Sequence, residues 1–148
     1  AISELKNFHE HWRTQQVFRR KQKQIINYEP VVPNGLIAIT ENGSFLVKNN
    51  KRYKFVSDRA KNSWNLREVL TSENAMKDFR IAGTIGFRDG TLIKDISDHK
   101  LYIISDYKKM HVVDPDTIVK LGMRTWDAME VSKKEASMHQ YGGQLGAK

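Results

Sequence analysis

Five histidines, His9, His11, His99, His111 and His139, are the side chains best able to hold a metal or move a proton at neutral pH. His9 and His11 stand two apart in a segment read as helix, so they point to different sides, whereas a shared metal wants a spacing of three or four. Asp89, Asp95, Asp98 and Asp106 gather in the second half. They fall at expected turns and lack the Asp-x-Asp-x-Asp-Gly register of a calcium loop. Gly83, Gly86 and Gly90 invite a phosphate-loop reading, but no Gly-Lys-Ser/Thr ending and no immediate helix follow, so flexible linkage between two parts of the chain explains them better. No serine sits in a Gly-x-Ser-x-Gly context, and the chain has no cysteine, which excludes disulfides, thiolate metal sites and a cysteine nucleophile. A non-enzymatic chain with no metal and no cofactor is expected.

The charge pattern points instead to binding. Twenty-five Lys and Arg against 17 Asp and Glu give a net charge of +8, a field that attracts acidic protein surfaces or polyanions. Lys48, Lys51, Arg52 and Lys54 crowd one expected hairpin tip, and Lys108, Lys109 and His111 another, interleaved with Tyr53 and Tyr107. Such tips can grip phosphates and stack on bases, although charged tips also keep strand edges soluble. Lys51, Arg52, Lys54, Lys108 and Lys109 are therefore candidate contacts to nucleic acid or to an acidic surface. No recognised DNA- or RNA-binding module signature accompanies them.

These residues are positioned by elements that occur twice. Gly35 opens the run Leu36-Ile37-Ala38-Ile39, and Gly90 opens Thr91-Leu92-Ile93-Lys94; Phe45-Leu46-Val47 then matches Tyr102-Ile103-Ile104. Lys51-Arg52 matches Lys108-Lys109, Phe55-Val56 matches Val112-Val113, Asn65-Leu66 matches Gly122-Met123, and Ser72 matches Ser132. Last, residues 82–86 match residues 142–146. The offset widens slightly along the chain, as small insertions in turns would make it do. Each copy alone is near the lower limit for a self-sufficient core, so the two are expected to pack together.

In the first copy, Asn42-Gly43 and Asn49-Asn50 between apolar runs predict two hairpin turns and three short antiparallel strands. Ser57 or Asp58 can cap a helical turn towards Trp64, and Ser72 another through Met76 and Phe79. In the second, Asp114-Pro115 is a helix start and Gly122 its stop, while Ser132 and Glu135 have capping-box spacing. Tyr141 to Lys148 reads as a glycine-rich tail that docks or frays.

Ahead of the copies, residues 1–29 read as a basic helical arm without Gly or Pro, and residues 30–34 as an extended, proline-containing connector. Ile2, Leu5, Phe8 and Trp12 form a narrow apolar stripe, and Arg19, Arg20, Lys21 and Lys23 crowd the far end. Those eight residues are the candidate partner-binding set. No apolar run approaches a membrane span and no signal-type segment appears, so a soluble chain with no membrane partner, made in a cytoplasm, is expected.

The run Gly90-Thr91-Leu92-Ile93-Lys94, then Tyr102 to Asp106 with Lys108-Lys109, then Val112-Val113-Asp114-Pro115 and Gly122, resembles hairpin-plus-helix repeats of bacteriophage virion proteins, especially minor tail and structural components. The first copy matches in outline only, with Asp58 and Asn65 where the second has Pro115 and Gly122. The resemblance implies a structural subunit of a phage virion, in the tail, baseplate, connector or capsid-associated, docking in many copies with other virion proteins. The alternative is a nucleic-acid-binding accessory protein. The expected fold is α+β: an N-terminal helix, then two tandem units, residues 35–88 and residues 89–148, each an antiparallel β-meander plus short helices, the second ending in the tail.

Overall fold

Some strands of this chain are apolar on both sides. All four residues of Ile37-Ala38-Ile39-Thr40 are buried, as are Phe45, Leu46 and Val47. A strand buried on both faces needs a layer on each side of its sheet. The structure is a computed structural model describing residues 29–146, and it meets that need by stacking two sheets.

Strands β1 (Ile37–Thr40), β2 (Gly43–Lys48) and β3 (Lys51–Phe55) form an antiparallel meander, followed by helix α1 (Asp58–Trp64). Strand β4 (Glu68–Leu70) then pairs parallel to β1, and β5 (Ile81–Ile85) parallel to β3, giving the order β4-β1-β2-β3-β5. The second sheet is wound the same way. Its meander is β6 (Leu92–Asp95), β7 (Lys100–Ser105) and β8 (Lys108–Val112). Helix α2 (Pro115–Lys120), a 3₁₀ turn (Thr125–Asp127), β9 (Met129–Val131), helix α3 (Lys133–Ala136) and β10 (Tyr141–Leu145) follow. The order is β10-β8-β7-β6-β9, with β9 parallel to β6 and β10 parallel to β8.

The α+β expectation is overturned. Strands hold 39% and helices 17% of the described residues, so the architecture is mostly β, built from two five-stranded mixed sheets and not from bare antiparallel meanders with helices. The outer strands account for the difference. Residues 81–85 and 141–145 carry too few apolar side chains to announce strands, yet their backbones pair in parallel with β3 and β8 across a bulge at Ala82 and at Gly142. The expected tail is thus largely β10. The expected helical turn from Ser72 to Phe79 is an irregular series of turns, although the Ser72 hydroxyl still accepts from Ala75 N–H at 3.1 Å. The expected N-terminal helix lies outside the described residues, apart from Glu29.

Non-sheet hydrogen bonds recur in both units. Gly35 N–H donates to Val47 O (2.8 Å) and Gly90 N–H to Ile104 O (2.6 Å). Val56 N–H donates to Ile85 O (3.0 Å) and Val113 N–H to Leu145 O (3.1 Å). The second β-hairpin tip of each unit is a two-residue turn with positive φ, Asn49 and Asn50 at 56° and 59°, Asp106 and Tyr107 at 52° and 63°. Each tip is tied back to the strand-entry loop: Asn50 N–H donates to Asn34 Oδ1 and Tyr107 N–H to Asp89 Oδ1, both at 2.9 Å.

The units stack head to tail. Ile37, Leu46 and Phe55 of the first sheet point into a core shared between the sheets, but their counterparts Leu92, Ile103 and Val112 face away from it, into a separate core under α2. Conversely Ile93, Tyr102 and Ile104 fill the shared core, whereas their counterparts Ala38 and Val47 lie on the far side of the first sheet, under Val32 and Met76. A two-fold pairing would have put equivalent residues together. Here the helix-bearing face of one unit receives the opposite face of the next.

The linker between the units is clamped, not flexible. His139 is buried; its Nε2 accepts from Phe87 N–H at 3.0 Å and its Nδ1 meets Tyr107 O at 2.7 Å, so Nδ1 carries the proton. The Tyr107 hydroxyl accepts from Gly86 N–H at 2.7 Å, and Trp64 Nε1 donates to Gly86 O at 2.9 Å. A Cβ on Gly86 would stand 2.5 Å from His139 Nε2, so only glycine fits there. Burial holds the His139 pKa below its ordinary 6.5. Near pH 6.5 the unfolded chain therefore takes up a proton that the folded chain refuses. Stability is complete above that pH and is expected to fall as pH drops through it, measured by urea unfolding at about pH 8 and about pH 5.5. In His139→Leu this slope should flatten, and the unpaired Phe87 N–H should cost about 1–3 kcal/mol at the higher pH.

Candidate interaction surface

The outer layer of the second unit begins at Asp114. Its Oδ1 accepts from Thr117 N–H and Thr117 Oγ1–H, both at 2.9 Å, and Pro115 supplies the first helical residue with φ already set. Helix α2 ends after one and a half turns at Leu121, where Gly122 takes φ +80°. Ile118 is fully buried and anchors the helix on Leu92, Ile103 and Val112. With that side fixed, Val119 and Leu121 are turned to solvent, 58% and 50% exposed.

A three-residue excursion without counterpart in the first unit adds to this surface. Arg124 N–H donates to Asp127 Oδ2 at 3.0 Å and Asp127 N–H returns to Arg124 O at 3.0 Å, closing the 3₁₀ turn. Met123 and Ala128 pin its ends to the core beneath α2. Trp126 at its tip is 78% exposed, with the Arg124 guanidinium 5.8 Å from its ring. The 3₁₀ turn packs beside α2, so the exposed Leu121 and Trp126 lie on adjoining elements, whereas Val119, two residues before Leu121, points to a different side of the helix. In the first unit the counterparts of Leu121 and Met123 are Trp64 and Leu66, and both pack into the shared core under the second sheet. Among the described residues, Leu121 is thus exposed in unit two where unit one covers Trp64.

Of the basic residues read from the sequence, Arg52 and Lys109 have partners within the chain. Arg52 is buried: its Nη1 and Nη2 donate to Glu73 Oε2 and Oε1 at 2.7 and 2.9 Å, and its Nε to Phe79 O at 2.7 Å. The same guanidinium lies 4.8 Å from the Phe45 ring centre. Lys109, its counterpart, lies 5.2 Å from the ring of Tyr102, the counterpart of Phe45. Arg52 and Lys109 thus lie over aromatic rings of the neighbouring strand. Lys54 is exposed with its Cε beside Gly43, Lys51 is half-buried, and Lys48 and Lys108 are exposed. His111 packs against Tyr102, ring centres 5.6 Å apart. Ile2, Leu5, Phe8, Trp12, Arg19, Arg20, Lys21 and Lys23 lie outside the described residues.

Trp126 was not singled out by sequence reading. The available signal was a lone tryptophan in an insertion that only one copy carries. Among the described residues, no group of three His, Asp or Glu could hold a metal, and no helix is long and apolar enough to cross a membrane.

Glu73 also accepts from Thr40 Oγ1–H at 2.6 Å, and Arg52 beside it holds its carboxyl below the usual carboxylate range. Glu73→Ala would strand the buried guanidinium; a loss of about 3 kcal/mol is expected in urea unfolding. No protein-family model, no curated protein and no solved structure matches this chain.

Proposed function

We propose that this chain is a structural assembly subunit whose task is adhesion to other proteins, without catalysis of its own. The observation that carries the reading is the pair of large exposed apolar side chains Leu121 and Trp126, on a capped helix and a closed turn that adjoin. Surface hydrophobics scattered singly need no explanation, but two large ones on adjoining elements that are themselves anchored in a core favour a docking site. The bacteriophage virion is the setting we favour, on the repeat resemblance of the second unit. There the chain would sit in many copies in the tail, baseplate, connector or capsid-associated layer. The basic N-terminal arm, with Ile2, Leu5, Phe8 and Trp12, is a second attachment point in this reading.

Nucleic-acid binding is the weaker alternative, because Arg52 is consumed by Glu73 and Lys109 lies over Tyr102. Duplex DNA titrated at rising salt separates the two. The adhesion reading expects only weak binding that is gone at about 0.2 M salt, whereas binding that stays tight there would favour the alternative. Immunogold labelling of phage particles from the source culture tests the setting: label repeated at one site of the particle is expected, and protein found only free of particles would contradict it. Trp126→Ser with Leu121→Ser should remove the chain from particles while leaving the urea midpoint within about 0.5 kcal/mol of the parent.

A further inference from the structure

We infer that copies of this chain join head to tail, the Leu121–Trp126 face of one copy seated on the outer face of the first unit of another. The inference rests on the adhesion reading and names its partner. Its warrant is an interface already present inside the molecule. The helix-bearing face of unit one, with α1, Trp64 and Leu66, is covered by the opposite face of unit two, which brings Ile93, Tyr102, Ile104 and α3. Arg59 of α1 meets Glu135 of α3 across this junction at 3.3 Å.

Among the described residues, both halves of that junction recur, uncovered, at the two ends of the molecule. At the tail end, Leu121 stands exposed where unit one has Trp64, and the exposed Trp126 is added beside it by an insertion that unit one lacks. At the head end, the outer face of the first sheet repeats the face that unit two presents to unit one. There Met76 and Val32 are buried, Phe79 and Ala75 are partly exposed, and Val31 is 56% exposed. Ala75 stands in the position of Glu135, so this face can be covered without burying a carboxylate.

Because unequal faces meet, the contact does not close on itself in a pair. A heterologous contact of this kind propagates into a ring or filament. Such repeat stacks need a polar cap on each terminal unit to remain single, and the tail end of this chain presents apolar side chains instead.

Sedimentation velocity of the full chain over a range of concentrations tests the inference, with two variants that each block one end. Val31→Glu blocks the head, Trp126→Glu the tail, and far-UV circular dichroism with the thermal midpoint checks that both fold. The parent is expected to grow past the dimer as concentration rises. Each variant alone should lose association by about 30-fold or more, the effect of removing a hot-spot contact. Mixed in equal amounts, the two should form a dimer that grows no further, since one good head then meets one good tail. A parent that stays monomeric, a Trp126→Glu variant that still assembles, or a mixture that stays monomeric would overturn the inference. So would association abolished by Phe8→Ser with Trp12→Ser but not by Val31→Glu, which would give the site to the N-terminal arm. A monomeric parent that still labels phage particles would sink this inference and leave the adhesion reading standing.

Discussion

Strands that are apolar on both faces can be stable only between two covering layers, and this constraint shapes the whole molecule. β1 and β2 bury every residue from Ile37 to Thr40 and from Phe45 to Val47. Their inner side takes α1 and the second sheet, and their outer side takes Val32, Met76 and Phe79. β7 does the same with Tyr102, Ile103 and Ile104. Four layers of cover are thus needed for two sheets. Three come from packed chain, and the fourth, over Ile118, is thin enough to leave large apolar side chains in water.

The two units have diverged where they meet. The residue equivalent to Phe79 is His139, and the residue equivalent to Asn50 is Tyr107. Asn50 is an easy occupant of a positive-φ turn, whereas a bulky tyrosine there costs free energy. Tyr107 holds φ 63° because its hydroxyl accepts from Gly86 and its ring stacks 4.3 Å from His139. The polar substitutions therefore fasten the inter-unit linker, a task that the first unit's copies of these positions do not have.

Local chemistry was legible in the sequence, and non-local pairing was not. Asn49-Asn50, Asp114-Pro115, Gly122 and the Ser132–Glu135 capping box act within a few residues of themselves, so their types reveal their geometry. The parallel strands β5 and β10 depend on partners far along the chain and contain Gly83, Gly142 and Gly143, which read as linker and tail. Arg52 looked like a phosphate contact because its partner Glu73 is remote in sequence; one guanidinium cannot serve both. The exposed patch was hidden for a related reason. Leu121 is an ordinary helix-end leucine in the sequence, and only the anchoring of Ile118 decides which sides of α2 face water.

Stacking through a common core makes the two units one cooperative body, and native-state hydrogen exchange reads this directly. Amides of Ile39 in the first sheet and Ile104 in the second should exchange with the same opening free energy and the same denaturant dependence, because neither sheet keeps its cover once the other unfolds. Protection of one sheet that survives after the other has opened would contradict it.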